Sequence, residues 1–244
     1  PELKPERSRN TNFGIVYEPA ADLNIGVSWY KIEQTNVVSS NGFQTVVNNP
    51  DQYPGQILRG ADGTLIAVFD RFRNLALNET SGIDLDFRKS FTTATMGKFT
   101  LSGDWVFVST FKSQPAEGQD IVDYVDSNGF QGGGVPRYKG RIGLTWDKGH
   151  FSTTLNRLYN HSWDQQQVSV PPAQERVGAY TQYDLFLSYG GFKNLRLYAS
   201  VQNLLDTKPP FDPQNGGTAT TVQYDISQND LRGRYYTIGA KYTF

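Results

Sequence analysis

LRGRYYTIGAKYTF, residues Leu231–Phe244, alternates hydrophobic and polar side chains from Arg234 to its end. In an extended strand successive side chains point to opposite faces, so this pattern gives the strand two different surfaces. One surface is apolar and carries Tyr236, Ile238, Ala240, Tyr242 and Phe244. The other is mixed and polar and carries Tyr235, Thr237, Gly239, Lys241 and Thr243. The stretch is therefore predicted to be an amphipathic β-strand that ends on an aromatic residue.

Such a strand is typical of the closing strand of an outer-membrane β-barrel, whose apolar face meets lipid between aromatic girdles. A strand of a soluble β-sandwich shows the same alternation, because period-two patterning is common in half-buried sheets. One strand leaves both architectures open, so the rest of the chain has to separate them.

The composition of the 244 residues excludes several classes of protein. The sequence has no cysteine, which excludes disulfide scaffolds, thiolate zinc sites and cysteine nucleophiles. A net charge of −1 without a lysine- or arginine-rich run argues against a nucleic-acid partner. The longest apolar run, Leu65–Phe69, is far shorter than the ~20 residues of a transmembrane helix. An aromatic content of 14 % beside a mean hydropathy of −0.52 suits a barrel with aromatic girdles and a polar interior.

Alternating segments occur nine times, and the connections between them are short and long in turn. The short turns are Glu18–Asp22, Thr92–Gly97, Trp146–His150 and Gly190–Asn194. The long polar connections are about forty residues after Gln34, then Ser113–Pro136, Trp163–Val177 and Thr207–Asp230. Bacterial outer-membrane barrels have this asymmetry, with short turns in the periplasm and long loops outside. The asymmetry favours the barrel over the sandwich.

The strand count predicts that this sequence is part of a longer protein. Single-chain bacterial barrels have an even number of strands, so at least one strand is expected upstream of Pro1. The sequence also opens without an initiator methionine or an apolar signal segment. We expect residues 1–244 to be the carboxy-terminal portion of one multi-pass outer-membrane β-barrel domain.

The face opposite the apolar one carries charges of both signs. In a barrel these residues line the lumen, and their mixed sign favours contacts with a folded plug over a one-sign ion channel. In a sandwich the same residues would be solvated outer positions. They are Asp84, Asp86, Arg88, Asp104, Lys139, Arg141, Asp184, Arg196 and Lys241. Arg157 falls on the predicted lipid face, where it reaches headgroups near the outer rim unless the register is wrong.

Three segments resemble the carboxy-terminal half of TonB-dependent outer-membrane receptors. The first is LKPERS at Leu3–Ser8, followed by FGIVYEP at Phe13–Pro19 and WYKI at Trp29–Ile32. The second is ETSGIDL at Glu79–Leu85, with aspartate at position 84 where many members have glutamate. The third is VQNLLD at Val201–Asp206, which has leucine at position 205 where phenylalanine is usual. Each motif is weak alone, but the set occurs in the family's order and covers the chain.

The resemblance implies an all-β, transmembrane antiparallel barrel of 22 strands, of which this chain supplies the last nine. It further implies a plug domain on the missing amino-terminal part, through which the TonB–ExbB–ExbD motor acts. Tyr242 and Phe244 would then form the signal read by the barrel-assembly machinery, and outer-membrane lipid and lipopolysaccharide would surround the barrel. The implied function is import of a scarce nutrient, most commonly a ferric siderophore, with cobalamin and oligosaccharides as further options.

Ligand capture is expected in the long loops and the upper lumen. Aromatic and polar loop residues there are suited to contact a metal chelate or another nutrient. The alternative for each is loop packing or lipopolysaccharide contact. The candidates are Tyr53, Arg71, Arg73, Tyr124, Trp163 and Tyr224.

No pattern in the sequence supports an enzyme, a cofactor or a metal site. His150 and His161 lack clustered partners, and Asp84 with Asp86 lacks a pocket that would make it an acid pair. The run Asp120, Asp123, Asp126 and Asn128, ending in Gly129, offers oxygen ligands but misses the EF-hand spacing, which leaves calcium as an alternative. The G-x-S-x-G, P-loop and H-E-x-x-H motifs are absent. A passive porin or adhesin, or an outer-membrane hydrolase, would also be a barrel.

Overall fold

A computed structural model describes residues 3–40, 42–114, 120–127, 133–165, 176–212 and 224–244. Those residues are almost entirely strand and loop. The elements are β1 (Arg7–Ala20), β2 (Leu23–Ser39), α1 (Phe43–Asn48), β3 (Ile57–Arg59), β4 (Leu65–Val68), β5 (Arg73–Thr93), β6 (Gly97–Ser113), β7 (Val122–Asp123), β8 (Tyr138–Lys148), β9 (Phe151–Asn160), β10 (Trp163–Asp164), β11 (Arg176–Val177), β12 (Tyr180–Phe192), β13 (Leu195–Gln202) and β14 (Tyr235–Tyr242). None of the described residues forms a helix with the length and hydrophobicity of a membrane span.

Nine long strands form one sheet in the order β1-β2-β5-β6-β8-β9-β12-β13-β14, and β7 pairs with β6. The pairings from β6 through β14 are antiparallel. Each long strand pairs with the long strand that follows it in the chain, which is the meander expected of an up-and-down barrel wall. The prediction of nine antiparallel strands joined by short turns and long connections is confirmed.

The chain divides into two compact units. The first comprises residues Pro1–Thr11, Lys31–Thr80 and Phe111–Asp123, and includes α1 and the small β3–β4 sheet. The second comprises Asn12–Tyr30, Ser81–Thr110 and Tyr124–Phe244, and includes all of β8 to β14.

Within the second unit, the registers place apolar residues opposite one another across six strands. The row of successive Cα partners is Leu101, Leu144, Leu155, Leu185, Val201 and Tyr236. In a soluble sandwich such a row would be buried against a second sheet. Here the apolar face is exposed, and Ile238 on the same face is 87 % exposed. An exposed apolar face of this extent is suited to hydrocarbon, which supports the barrel over the sandwich.

The long connections contain more regular structure than the sequence predicts. The second strand was expected to end near Gln34 but continues to Ser39, whereas the start of β5 at Arg73 agrees with the connection of about forty residues expected after Gln34. The physical reason lies in side-chain hydrogen bonds that the alternation does not report. The Asn74 amide donates to the carbonyls of Lys4 (2.7 Å) and Asn36 (2.6 Å), which joins polar strand ends within the first unit. The connections also contain α1, β3 and β4, then β7, and then the β10–β11 pair.

Aromatic rings lie across glycines on neighbouring strands of the second unit. Gly140 in β8 is the Cα partner of Trp105 in β6. A Cβ added at Gly140 would lie 2.5 Å from Cδ2 of that indole and 2.5 Å from the carbonyl oxygen of Asp104. The Tyr198 ring of β13 covers Gly239 of β14 in the same way. Only glycine leaves room for these rings.

We expect Gly140→Ala to destabilise the barrel, because even a single Cβ has to displace both the Trp105 ring and the backbone of β6. The free energy of unfolding should fall by about 1–3 kcal/mol, the usual cost of overpacking. The midpoint of urea unfolding of the folded, heat-modifiable protein measures this change. Gly178→Ala is the matched control, because a Cβ there meets only Pro210 at 3.7 Å. Equal midpoints for the two variants would contradict the role assigned to Gly140.

Candidate ligand-binding site

In the first unit, two of the predicted ligand residues contact each other. The guanidinium of Arg73 lies over the Tyr53 ring, 5.4 Å from its centroid, and Tyr53 is only 4 % exposed. With its amide group turned by 180°, the orientation that satisfies both neighbours, the buried Gln56 side chain accepts a hydrogen bond from Arg73 (2.6 Å) and donates to the Phe69 carbonyl (2.7 Å). The Phe69 N–H donates to the Gln56 carbonyl (2.7 Å). Tyr53 and Arg73 therefore hold the loop around β3 and β4 together, as the loop-packing alternative expects.

The β3–β4 hairpin is closed by a carboxylate. Asp62 accepts hydrogen bonds from the Thr64 N–H (3.0 Å) and from the Thr64 hydroxyl (2.7 Å). These bonds, the hydroxyl one foremost, lower the pKa of the Asp62 carboxyl, because they stabilise its charged form. The turn is therefore held in one conformation by a group that stays ionised at neutral pH.

The chain from β4 into β5 presents a cation between exposed aromatic side chains. Phe69 and Phe72 are exposed, Phe72 by 64 %, and Arg71 lies exposed between them. Asp70 in the same segment accepts a hydrogen bond from the Gly42 N–H (3.0 Å). A guanidinium beside phenyl rings is suited to an anionic, aromatic ligand. The sequence points to Arg71, but it does not distinguish the exposed Phe69 and Phe72 from other aromatic residues of the long loops.

In the second unit, two further candidates are buried. The Trp163 indole is 1 % exposed and covers Gly134, and its Cα partner in the β10–β11 pair is Val177. Tyr124 is also buried, and desolvation raises the pKa of its phenol. Both residues pack the connections. Tyr224 is half-buried.

A buried carboxylate connects these packed segments. Asp225 accepts hydrogen bonds from the Gly134 N–H (2.7 Å), the Ser227 N–H (2.8 Å) and the Ser227 hydroxyl (2.6 Å). The Gln228 amide returns a bond to the Gly134 carbonyl (3.1 Å), and its own backbone carbonyl accepts from the Asn160 amide (2.9 Å). The connection preceding β14 is thus fixed to the one preceding β8 by polar contacts that no motif in the sequence indicates.

The residues predicted to face the lumen share one face of the sheet. Asp104 and Arg141 are Cα partners and form an ion pair of 2.8 Å with more than half of each side chain exposed. Arg196 is the Cα partner of Lys241. Asp184 is buried and accepts hydrogen bonds from the Gln182 amide and the Asn203 N–H, both 2.8 Å. On β5, Asp84, Asp86 and Arg88 alternate with Leu85 and Phe87. Their assignment to a lumen stays a prediction.

The residues considered as metal ligands or catalytic acids either lie apart from one another or contact other side chains. Asp126 pairs with Arg137 (2.7 Å), while Asn128 and Gly129 of the same run lie outside the described residues. The His161 ring stacks on Tyr138, with centroids 4.2 Å apart. Within the described ranges, no group of three or more histidine or acidic side chains could hold a metal ion.

We expect Arg73→Ala and Arg71→Ala to have different effects on the first unit. Arg73→Ala removes the donor to a buried Gln56 oxygen, and an unsatisfied buried acceptor costs about 1–3 kcal/mol. Amide hydrogen exchange over residues 56–69 should therefore become faster. Arg71→Ala, at an exposed side chain, is the matched control and should leave that exchange unchanged. Equal rates of amide hydrogen exchange in the two variants would contradict the assignment of Arg73 to loop packing and of Arg71 to ligand contact.

Comparison with known proteins identifies the fold. The family described as "TonB dependent receptor-like, beta-barrel" matches residues 1–204. No curated protein matches the sequence. Among solved structures, a mutant of the ferric enterobactin receptor PfeA from Pseudomonas aeruginosa, in complex with enterobactin, is 19 % identical with a TM-score of 0.66 over 98 % of this chain and 32 % of that chain.

Two further structures are similar. The siderophore receptor PirA from Acinetobacter baumannii is 14 % identical with a TM-score of 0.64, over 100 % of this chain and 32 % of that one. The FrpB iron transporter from Neisseria meningitidis is 12 % identical with a TM-score of 0.61, over 99 % and 32 %. At these identities the likeness concerns the fold, and the chain spans about a third of the length of these structures. The family match confirms the resemblance, and this chain belongs to the TonB-dependent receptor family through its outer-membrane β-barrel.

Proposed function

We propose that this chain forms the last nine strands of the barrel of an active outer-membrane transporter whose cargo is a ferric siderophore. The observation that carries the proposal is the family match over most of the chain. It is supported by the similar structures, which are a ferric enterobactin receptor, a siderophore receptor and an iron transporter. The regular alternation of short turns and long connections between the strands agrees with ligand capture outside the cell.

The exposed Phe69–Phe72 segment is the proposed ligand contact of this chain. Ferric catecholate chelates are anionic and aromatic, so they can pair with the Arg71 guanidinium and stack on the neighbouring phenyl rings. Arg73 and Tyr53 pack against each other next to this segment, and the buried Trp163 and Tyr124 pack the other connections. Tyr224 is half-buried and stays a candidate ligand contact. The charges of both signs on the polar face would contact a plug domain, on which the TonB–ExbB–ExbD motor would pull.

Uptake by the complete receptor under iron limitation tests this function. Cells that express it should accumulate iron supplied as a ferric catecholate, and deletion of tonB should abolish accumulation. Arg71→Ala should weaken binding roughly tenfold, as expected for loss of one cation–aromatic contact at a desolvated site. Arg7→Ala, an exposed arginine at the start of β1, is the control. Uptake that persists without TonB would instead indicate a passive porin, and binding without any uptake would indicate an adhesin.

The assembly role of the carboxy terminus has its own test. Phe244 is fully exposed and its ring meets Tyr242 edge-on at 5.2 Å, so little of the folded sheet depends on it. We expect Phe244→Ala to lower the amount of folded receptor in the outer membrane while leaving the urea midpoint of the assembled fraction unchanged. Phe192→Ala removes another exposed aromatic residue and should leave assembly intact. Unchanged assembly of Phe244→Ala would refute recognition by the assembly machinery.

A further inference from the structure

The apolar face of the sheet carries an arginine in β9. Arg157 is the Cα partner of Ile142 in β8 and of Tyr183 in β12, so its place on this face is a property of the register. The strand register at Arg157 is therefore the one that the sequence predicts, with the side chain on the apolar face. Among the ion pairs of the described residues, none includes Arg157. A permanent cation therefore lies on a surface built for hydrocarbon.

Amphipathic rings surround this cation. The Arg157 guanidinium lies 5.4 Å from the centroid of the Tyr159 ring. That ring lies 6.0 Å from both Trp105 and Tyr138, and His161 stacks on Tyr138 at 4.2 Å. We call Arg157, Trp105, Tyr138, Tyr159 and His161 the Arg157 cluster. Each of its rings has a polar atom that can reach water or a headgroup from an apolar surface.

The Arg157 cluster lies at one border of the apolar face. Tyr183, the partner of Arg157, is six residues from Tyr189 in the same strand. Six residues of extended strand span about 20 Å, and a strand tilt of about 40° reduces this to about 15 Å along the membrane normal. Arg157 therefore lies in the upper part of the ~25 Å apolar band and reaches its border by extending the side chain. At the opposite border Tyr189 packs with Phe151 (4.7 Å) and Phe192 (5.3 Å). The face therefore has an aromatic border at each end, and only the one near the long connections contains the cluster.

A guanidinium at a membrane border is stabilised by an anion that the membrane supplies. The guanidinium binds phosphate through two parallel N–H···O hydrogen bonds, and the adjacent rings add N–H and O–H donors. The stacked Tyr138 and His161 rings also offer a flat surface of the kind on which sugar rings pack. We propose that the Arg157 cluster binds the phosphorylated sugar headgroup of lipopolysaccharide in the outer leaflet. The proposal rests on the long connections lying outside the cell and does not depend on the cargo.

The test measures binding of bisphosphorylated lipid A to the complete receptor, delipidated in detergent, by native mass spectrometry. Arg157→Gln should weaken binding roughly tenfold, the loss expected for one charge-assisted pair. The wild-type receptor should bind dephosphorylated lipid A as weakly as Arg157→Gln binds the bisphosphorylated form. Lys148→Gln is the matched control, because it removes a cation beside Phe151 at the opposite border of the same face. It should bind like the wild type.

Several outcomes overturn the proposal. Unchanged lipid A affinity in Arg157→Gln, or equal affinity for phosphorylated and dephosphorylated lipid A, removes the phosphate site. Phosphatidylglycerol binding as tightly as lipid A would assign the site to phospholipid and refute the glycolipid. If Arg157→Gln fails to assemble, Arg157→Lys keeps the charge but loses the two-pronged geometry, and it should weaken binding about threefold. Siderophore uptake is scored separately, so failure of the transport proposal leaves this result interpretable.

Discussion

Hydrocarbon offers no hydrogen-bond partner to a peptide group, so strands that cross a bilayer have to pair with their neighbours over the whole crossing. The pairing of β9 with β12 meets this requirement, with an unbroken register from Asn160 opposite Tyr180 to Phe151 opposite Tyr189. The β6–β8 pair is equally continuous from Phe107 opposite Tyr138. Once these registers are fixed, the period of two assigns every side chain to one face. The apolar wall and the polar wall are therefore consequences of backbone pairing.

The strands were predictable because their signal is local. Alternation along each segment was sufficient to identify nine strands, four short turns and the face on which Arg157 lies. The strand ends were not predictable in this way. The extension of β2 to Ser39 involves Asn74, whose side-chain amide donates a hydrogen bond to the Asn36 carbonyl 38 residues away in the chain. A contact of that separation leaves no periodic signature, and polar strand ends resemble loops in composition.

The candidate site was predictable only in part, for a different reason. Aromatic residues in long connections either anchor a loop or face a ligand, and both uses require the same residue types. Trp163 and Tyr53 turn out to be buried anchors, because connections without a core of their own need large side chains to hold them. Phe72 beside Arg71 is exposed instead. Burial depends on contacts such as that between Asp225 and Gly134, 91 residues apart, which the sequence does not reveal.

The rings that lie over glycines have a consequence for how the wall is put together. Backbone hydrogen bonds are nearly the same in every register that differs by two residues, so they do not choose one register over another. The ring–glycine contacts do specify the register, both where Trp105 covers Gly140 and where Tyr198 covers Gly239. A register shift of two residues would place Trp105 against the side chain of Tyr138 or Ile142. Each of these ring–glycine pairs therefore favours one register of its two strands. A strand that pairs two residues out of register during assembly produces a steric clash at the aromatic ring. The clash opposes the incorrect pairing before it extends along the strand.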